Sequence, residues 1–163
     1  MADPKRPDEG DAFPDIALET PDGGSVKPSD YKGKKLVIFF YPKDDTPGCT
    51  TENKDFSALA SEFDAAGTAL LGVSKDPPKK HEKFAAKHDL TAPLASDTMA
   101  DSAQDGLAEA LGIWVEKNMY GRTYKGMERT TYLLDEEGKI DRVWRKVKVK
   151  GHSAEVLEAV RDL

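Results

Sequence analysis

A single cysteine carries all the thiol chemistry this chain can perform, and its neighbours define what that chemistry is. Cys49 sits within Tyr41–Glu52, YPKDDTPGCTTE, between an apolar run and a stretch of helical periodicity. Thr46 is a natural N-cap and Pro47 a natural first helical residue, which puts Cys49 in the helix's first turn. There the unpaired backbone N–H groups and the positive end of the macrodipole favour an anion. A sulfur so placed is biased toward the thiolate, the form that acts as a nucleophile. The competing reading is a small buried hydrophobe, the usual fate of a lone intracellular cysteine. Cys49 lies in no apolar run, however, and strand-to-helix junctions are where function collects. Local spacing alone leaves the two readings level.

Other chemistries are narrower still. One cysteine excludes an intrachain disulfide, a C-x-x-C redox pair and a cysteine-rich zinc site. His81 and His88 are seven residues apart, two helical turns rather than the four-residue spacing that suits a shared metal, and His152 stands alone. No metal site and no cofactor is expected. The net charge of −6, from 24 basic and 30 acidic residues, argues against nucleic acid or an anionic membrane as the partner. The run Arg145–Lys150, RKVKVK, alternates basic residues with valine; it reads as a strand with a solvated basic face or a lysine-protected edge. Its sharper alternative is a docking patch for an acidic reductant or for nucleic acid. Trp114 and Trp144 read as packing residues, and Met99, Met119 and Met127 form no helical stripe.

The elements that must hold Cys49 follow from periodicity. Lys35–Tyr41, KLVIFFY, is an apolar run read as a strand buried on both faces. From about Thr50 to Ala66 the period becomes helical, with Phe56, Leu59, Ala60 and Phe63 on one stripe and Gly67 as the stop. Thr68–Ser74 is a second buried strand. Asp76 and Pro77 read as N-cap and first residue of a helix running to about His88. Upstream, Phe13–Leu18 and Ser25–Lys27 form a small hairpin closed by Asp22-Gly23-Gly24. Downstream come a short strand at Thr91–Ala95, a helix at Ala103–Leu111 and a strand pair, Arg129–Leu134 with Ile140–Val147. Ser153 caps a last helix with Val156, Leu157 and Val160 inward. The order predicts β-α-β crossovers and an α/β thioredoxin-like fold: a central mixed sheet flanked by helices, with an N-terminal β-hairpin. Residues 1–12 read as a flexible tail and 13–163 as one domain. The 163 residues can bury roughly two-thirds of their unfolded surface without a staple. Met1–Gly10 has no apolar h-region and Leu36–Tyr41 is too short to span a bilayer, so the cytoplasm is the expected compartment.

Pro42, Thr46 and Cys49 spell P-x-x-x-T-x-x-C, which resembles the peroxidatic signature of the peroxiredoxins. The fuller YPKDDTPGCTTE is similar to the Q-type, or bacterioferritin-comigratory, branch of that family. Gly72-Val73-Ser74, Tyr120-Gly121 with Tyr124, Glu128–Leu134 and Val143–Val147 extend the resemblance from about Phe13 to the C-terminus.

The resemblance implies that Cys49 attacks a hydroperoxide and becomes a sulfenic acid. It implies that Thr46 points its hydroxyl at the reacting atoms and that Pro42 shields them from water. Arg129 becomes the cationic partner of thiolate and peroxide; by itself an arginine opening a strand reads as a solvated edge residue. The Gly48 and Cys49 N–H groups complete the anion-stabilising set, and Glu52 supports it by orienting an arginine. Many members of the branch carry a resolving cysteine five residues on, where this chain has Lys54. Others carry it in the next helix, where residues such as His81, Phe84 and His88 stand. The expected activity is therefore reduction of hydrogen peroxide and organic hydroperoxides with one-cysteine behaviour. Thioredoxin, glutaredoxin or glutathione would serve as the external thiol, and the resemblance suggests a monomer. A peroxide sensor that relays oxidation to a partner protein is the alternative, and a nucleic-acid-binding module is disfavoured by the acidic charge.

Overall fold

The computed structural model describes residues 6–99 and 105–163. The strands in chain order are β1 (Leu18–Glu19), β2 (Ser25–Val26), β3 (Lys35–Phe40), β4 (Thr68–Ser74), β5 (Leu94–Ser96), β6 (Trp114–Met119), β7 (Arg122–Met127), β8 (Thr130–Leu134) and β9 (Ile140–Trp144). The helices are α1 (Pro47–Ala58), α2 (Ala60–Ala65), α3 (Pro78–His88), α4 (Leu107–Leu111) and α5 (His152–Asp162). Among the described residues, no helix is long and apolar enough to cross a membrane.

β3 organises the molecule. Its side chains alternate between two apolar clusters, Leu36, Ile38 and Phe40 entering one and Val37 and Phe39 the other. That is the period of two expected of a strand covered on both faces. Parallel β4 pairs along one side of it and antiparallel β8 along the other. The sheet runs β2-β1-β5-β4-β3-β8-β9, with parallel pairs only among β3, β4 and β5. On the Phe39 face pack Phe56 of α1, Phe63 of α2, Phe84 of α3 and Val156 and Val160 of α5. On the other face lie Leu107 and Leu111 of α4, with Phe13 and Met127. The central mixed sheet between helices is as the sequence predicts; an N-terminal hairpin forms too, but its first arm is Leu18–Glu19 rather than Phe13–Leu18.

Several boundaries differ, each for a local reason. The helix expected to run unbroken to Ala66 divides at Leu59, where the Thr91 hydroxyl donates to the Ser57 carbonyl at 3.1 Å. α3 begins at Pro78, with Pro77 as its N-cap; the Asp76 carboxylate instead accepts from Ser74 Oγ and Asp44 N–H. α4 is shorter than the predicted helix, whose first two residues, 103 and 104, lie outside the described residues. Ser153 does not cap α5 but lies inside it, behind Gly151 at φ +74°. β9 ends at Trp144, because Lys146 turns to φ +48° and Val147 N–H donates to the Arg129 carbonyl. The basic run is therefore a loop, not a strand. The β6–β7 hairpin was not anticipated.

The first five residues of the expected tail lie outside the described residues. From residue 6 on, the stretch is tied to the sheet. Gly10 N–H donates to the Ile140 carbonyl at 2.7 Å, Ala12 bridges Lys139, and Arg145 Nη2 donates to the Pro7 carbonyl at 2.9 Å.

Candidate active site

The loop between β3 and α1 is held from both sides before it reaches the cysteine. Tyr41 N–H still follows the sheet, donating to the Val73 carbonyl at 3.0 Å. Asp44 then turns inward, accepting from Tyr41 Oη at 2.6 Å and from His81 Nδ1 at 2.6 Å. Both side chains of the Asp44–His81 pair are wholly buried. His81 Nε2 faces the Ala95 carbonyl at 3.0 Å, so the ring is held at both nitrogens. Burial, with Asp44 beside it, holds the Tyr41 phenol well above its ordinary ionisation range. Asp45 adopts φ +61°, a conformation that Asp tolerates better than most residues, and faces Lys87 at 2.7 Å and His88 at 2.9 Å. Two consecutive aspartates thus fasten the loop to α3.

Pro47 opens α1, and Cys49 occupies the third helical position. Its side chain is only 1% exposed, within the Phe39-face cluster. Thr46 has the extended backbone of an N-cap, but its side chain does not cap: Oγ1 donates to the Lys43 carbonyl at 2.8 Å. No hydrogen bond joins it to Cys49 Sγ among the described residues, so its proton is committed and lone pairs remain to accept. The N–H groups of Gly48 and Cys49 likewise have no acceptor among the described residues, as befits a helix start. Asn53 Nδ2 donates to the Cys49 carbonyl at 2.9 Å from a fully buried position; nothing in the sequence singled it out. Pro42 is half-buried directly after Tyr41.

Arg129 comes to this point from the entry to β8, the strand next to β3. Its Nη2 lies 3.4 Å from Cys49 Sγ and its Nη1 2.6 Å from Glu52 Oε1. A Cβ on Gly48 would meet Arg129 Nη2 at 3.3 Å, so the glycine leaves the guanidinium its place. Burial works against the Arg129 cation, but the Glu52 and Cys49 charges outweigh it and raise its affinity for the proton. Glu52 is 1% exposed, and burial pushes its carboxyl up to about 7 against the pull of Arg129. Its second oxygen has no partner among the described residues. Cys49, Gly48, Glu52 and Arg129 thus converge, with Thr46 and Pro42 on the loop just before them.

On the far side of α1, His152 packs edge-on against Phe56 at 5.9 Å and Trp144 at 5.8 Å, while its Nε2 lies 2.8 Å from Thr131 Oγ1. Burial pulls His152 down to about 4, so it is neutral at physiological pH.

Comparison with known proteins agrees with this geometry. The AhpC/TSA family matches residues 9–143 of the chain. Peroxiredoxin Bcp of Bacillus subtilis is 46% identical over 154 residues, 94% of this chain and 95% of that protein. A structure of Xanthomonas campestris peroxiredoxin Q is 48% identical, covers 90% of each chain and superposes with a TM-score of 0.82. A second, of the bacterioferritin comigratory protein from X. campestris, concerns its alkyl peroxide reduction activity. It is 45% identical over 95% of this chain and 98% of that one, with a TM-score of 0.84.

Proposed function

Because the chain belongs to the AhpC/TSA family and is a peroxiredoxin, an enzyme of thiol-dependent peroxide reduction, we propose that Cys49 is its peroxidatic nucleophile and that an outside thiol completes the cycle. The thiolate attacks the terminal oxygen of a hydroperoxide. The O–O bond breaks, the alkoxide or hydroxide leaves and takes a proton, and Cys49 becomes a sulfenic acid. With one cysteine in the chain, that oxygen must be removed by a thiol from another molecule. Alkyl peroxide reduction by the X. campestris relative supports organic hydroperoxides as substrates beside hydrogen peroxide.

The observation that carries the reading is the 3.4 Å approach of Arg129 Nη2 to a sulfur in the first turn of a helix. One fork of the guanidinium faces the sulfur while the other is fixed by Glu52, so the charge stands ready where negative charge shifts from sulfur to oxygen. Glu52 is then a positioning residue acting through Arg129. Thr46 Oγ1, its own proton donated to the Lys43 carbonyl, keeps lone pairs to accept a hydrogen bond from the O–H of the incoming peroxide. Free N–H groups of Gly48 and Cys49 supply donors to the same anion. Pro42 limits water at the mouth. A cytoplasmic monomer remains part of this reading, and gel filtration with cell fractionation checks it.

The test is a peroxide-consumption assay with thioredoxin, glutaredoxin and glutathione as alternative donors, comparing the chain with Cys49→Ser. A sulfenic-acid reagent should label Cys49 after one equivalent of peroxide; an unlabelled, peroxide-indifferent sulfur would defeat the reading. The single cysteine also favours a second reading, in which a long-lived sulfenic acid relays oxidation to a partner protein. Turnover with dithiothreitol but with no cellular donor would select it.

A further inference from the structure

The basic loop 145–150, unused by the mechanism above, lies against the catalytic arginine. Val147 N–H donates to the Arg129 carbonyl at 2.9 Å, and it is the Arg129 guanidinium that faces Cys49. Arg145 donates to the Pro7 carbonyl. Lys146, Lys148 and Lys150 are all exposed, and among the described residues none forms an ion pair. The three lysines line a groove of about 340 Å³ together with Arg145, Trp144 and His152, with a single carboxylate, Glu155. His152 is neutral, so the positive charge comes from the lysines and from Arg145, whose bond to a neutral carbonyl leaves its charge in place. On a chain of net charge −6 this is a local reversal of sign, which concentrates anions.

The loop that forms the groove meets the sulfur's neighbour directly: it holds the Arg129 backbone, one side chain's length from Cys49. Cys49 is 1% exposed, which suits a slender thiol better than a broad protein surface.

We propose that this groove holds the carboxylates of a small anionic thiol, of the size of a tripeptide, that reduces oxidised Cys49. The proposal rests on Cys49 being the peroxidatic residue. In the first step the thiolate attacks the sulfenic sulfur; an S–S bond forms, the S–O bond breaks and hydroxide leaves as water after taking a proton. In the second step another thiolate attacks the small-molecule sulfur of that mixed disulfide and releases the Cys49 thiolate. Two thiols supply the two electrons and depart as their disulfide. The lysines hold the carboxylates and take no part in bond making.

The experiment starts from full-length protein oxidised by one equivalent of hydrogen peroxide, with the sulfenic acid verified by trapping. Its reduction is then timed with glutathione and with glutathione diethyl ester at matched thiolate concentration, in low and high salt. The same series is run on the Lys146→Gln, Lys148→Gln, Lys150→Gln triple variant. The wild type should prefer the free acid by about tenfold at low ionic strength. That preference should shrink at 0.5 M salt, where charges are screened beyond about 4 Å, and fall to about twofold in the triple variant, which keeps only Arg145. Equal rates for acid and ester with sulfenic acid present, or an undiminished preference in the triple variant, would overturn the groove assignment alone. Absence of any trapped sulfenic acid would overturn the peroxidatic reading beneath it.

Discussion

Arg129 Nη2 lies 3.4 Å from Cys49 Sγ although 80 residues separate the two in the chain. The sheet makes the meeting. β3 and β8 are antiparallel neighbours with Phe40 opposite Thr130, so the end of one strand and the start of the other share an edge. The loop leaving β3 carries Cys49 to that edge, and the residue entering β8 is Arg129.

Removing that charge should therefore slow the oxidation step. Arg129→Ala is expected to lower the second-order rate of Cys49 oxidation about 10²-fold, the usual loss for one preorganised donor to developing charge. Arg129→Lys should fall between, since an ammonium keeps the charge but cannot face sulfur and Glu52 at once. Stopped-flow oxidation under excess peroxide measures both, and unchanged rates would remove Arg129 from the mechanism.

Glu52 titrates in the opposite sense from a solvent-paired carboxylate. Burial moves it from 4.5 to about 7 in the folded protein. Between those values the unfolded chain has lost the proton that the folded one keeps, so folding stability falls as pH rises through the interval. The loss is on the order of 3 kcal/mol at most across that window. Glu52→Gln abolishes this titration, so the variant should gain stability relative to wild type between pH 4.5 and 7. Urea melts at several pH values read the difference; a pH-independent difference would show that Glu52 ionises normally.

His152 tilts the profile the other way. Burial lowers it from 6.5 to about 4, so between those values the unfolded chain holds a proton that the folded one lacks. Its contribution is present above pH 6.5 and is lost as pH falls toward 4. His152→Asn should flatten that acid-side loss in the same urea series, leaving the opposing Glu52 slope exposed. A steeper acid-side loss in the variant would contradict the neutral, buried imidazole.

The parts of the site that were legible in the sequence are those set by neighbours in the chain. Pro47 and the continuous apolar KLVIFF run place Cys49 at the start of a helix after a buried strand, as observed. The Arg129–Glu52 contact depends on which strands pair, and only resemblance pointed to it. His81 was weighed as a metal ligand or as a place for a second thiol. Its actual partner, Asp44, is 37 residues away and carries no local signal. The β6–β7 hairpin was missed although Tyr120 and Gly121, at φ +53° and +76°, form the two-residue turn that such hairpins favour. The alternation of RKVKVK suggested a strand, but the backbone turns at Lys146 and makes a loop.

Gly72 tests the packing beneath the site. An added Cβ would stand 2.7 Å from Phe39 Cζ and 2.9 Å from Leu94 Cδ2. Phe39 cannot swing away freely, being stacked on Phe56 of α1 at 4.3 Å. Gly72→Ala should cost about 1–3 kcal/mol in urea unfolding through overpacking, and by pressing on Phe56 it should slow Cys49 oxidation as well. A variant as stable as wild type would mean that β4 has room the contacts do not show.

The buried Asp44–His81 pair offers the sharpest contrast between single and double variants. Asp44→Ala would leave His81 Nδ1–H and the Tyr41 hydroxyl without the acceptor each now meets at 2.6 Å. A buried donor left without its acceptor costs about 1–3 kcal/mol. His81→Leu combined with Asp44→Ala removes the imidazole donor along with its acceptor, so the double variant should be more stable than Asp44→Ala alone. Urea denaturation of the two variants measures the recovery. If the double variant is no more stable than Asp44→Ala alone, the Asp44–His81 contact is not what holds the loop, and the segment that brings Thr46 and Cys49 to Arg129 must be held by Asp45 and Asp76 instead.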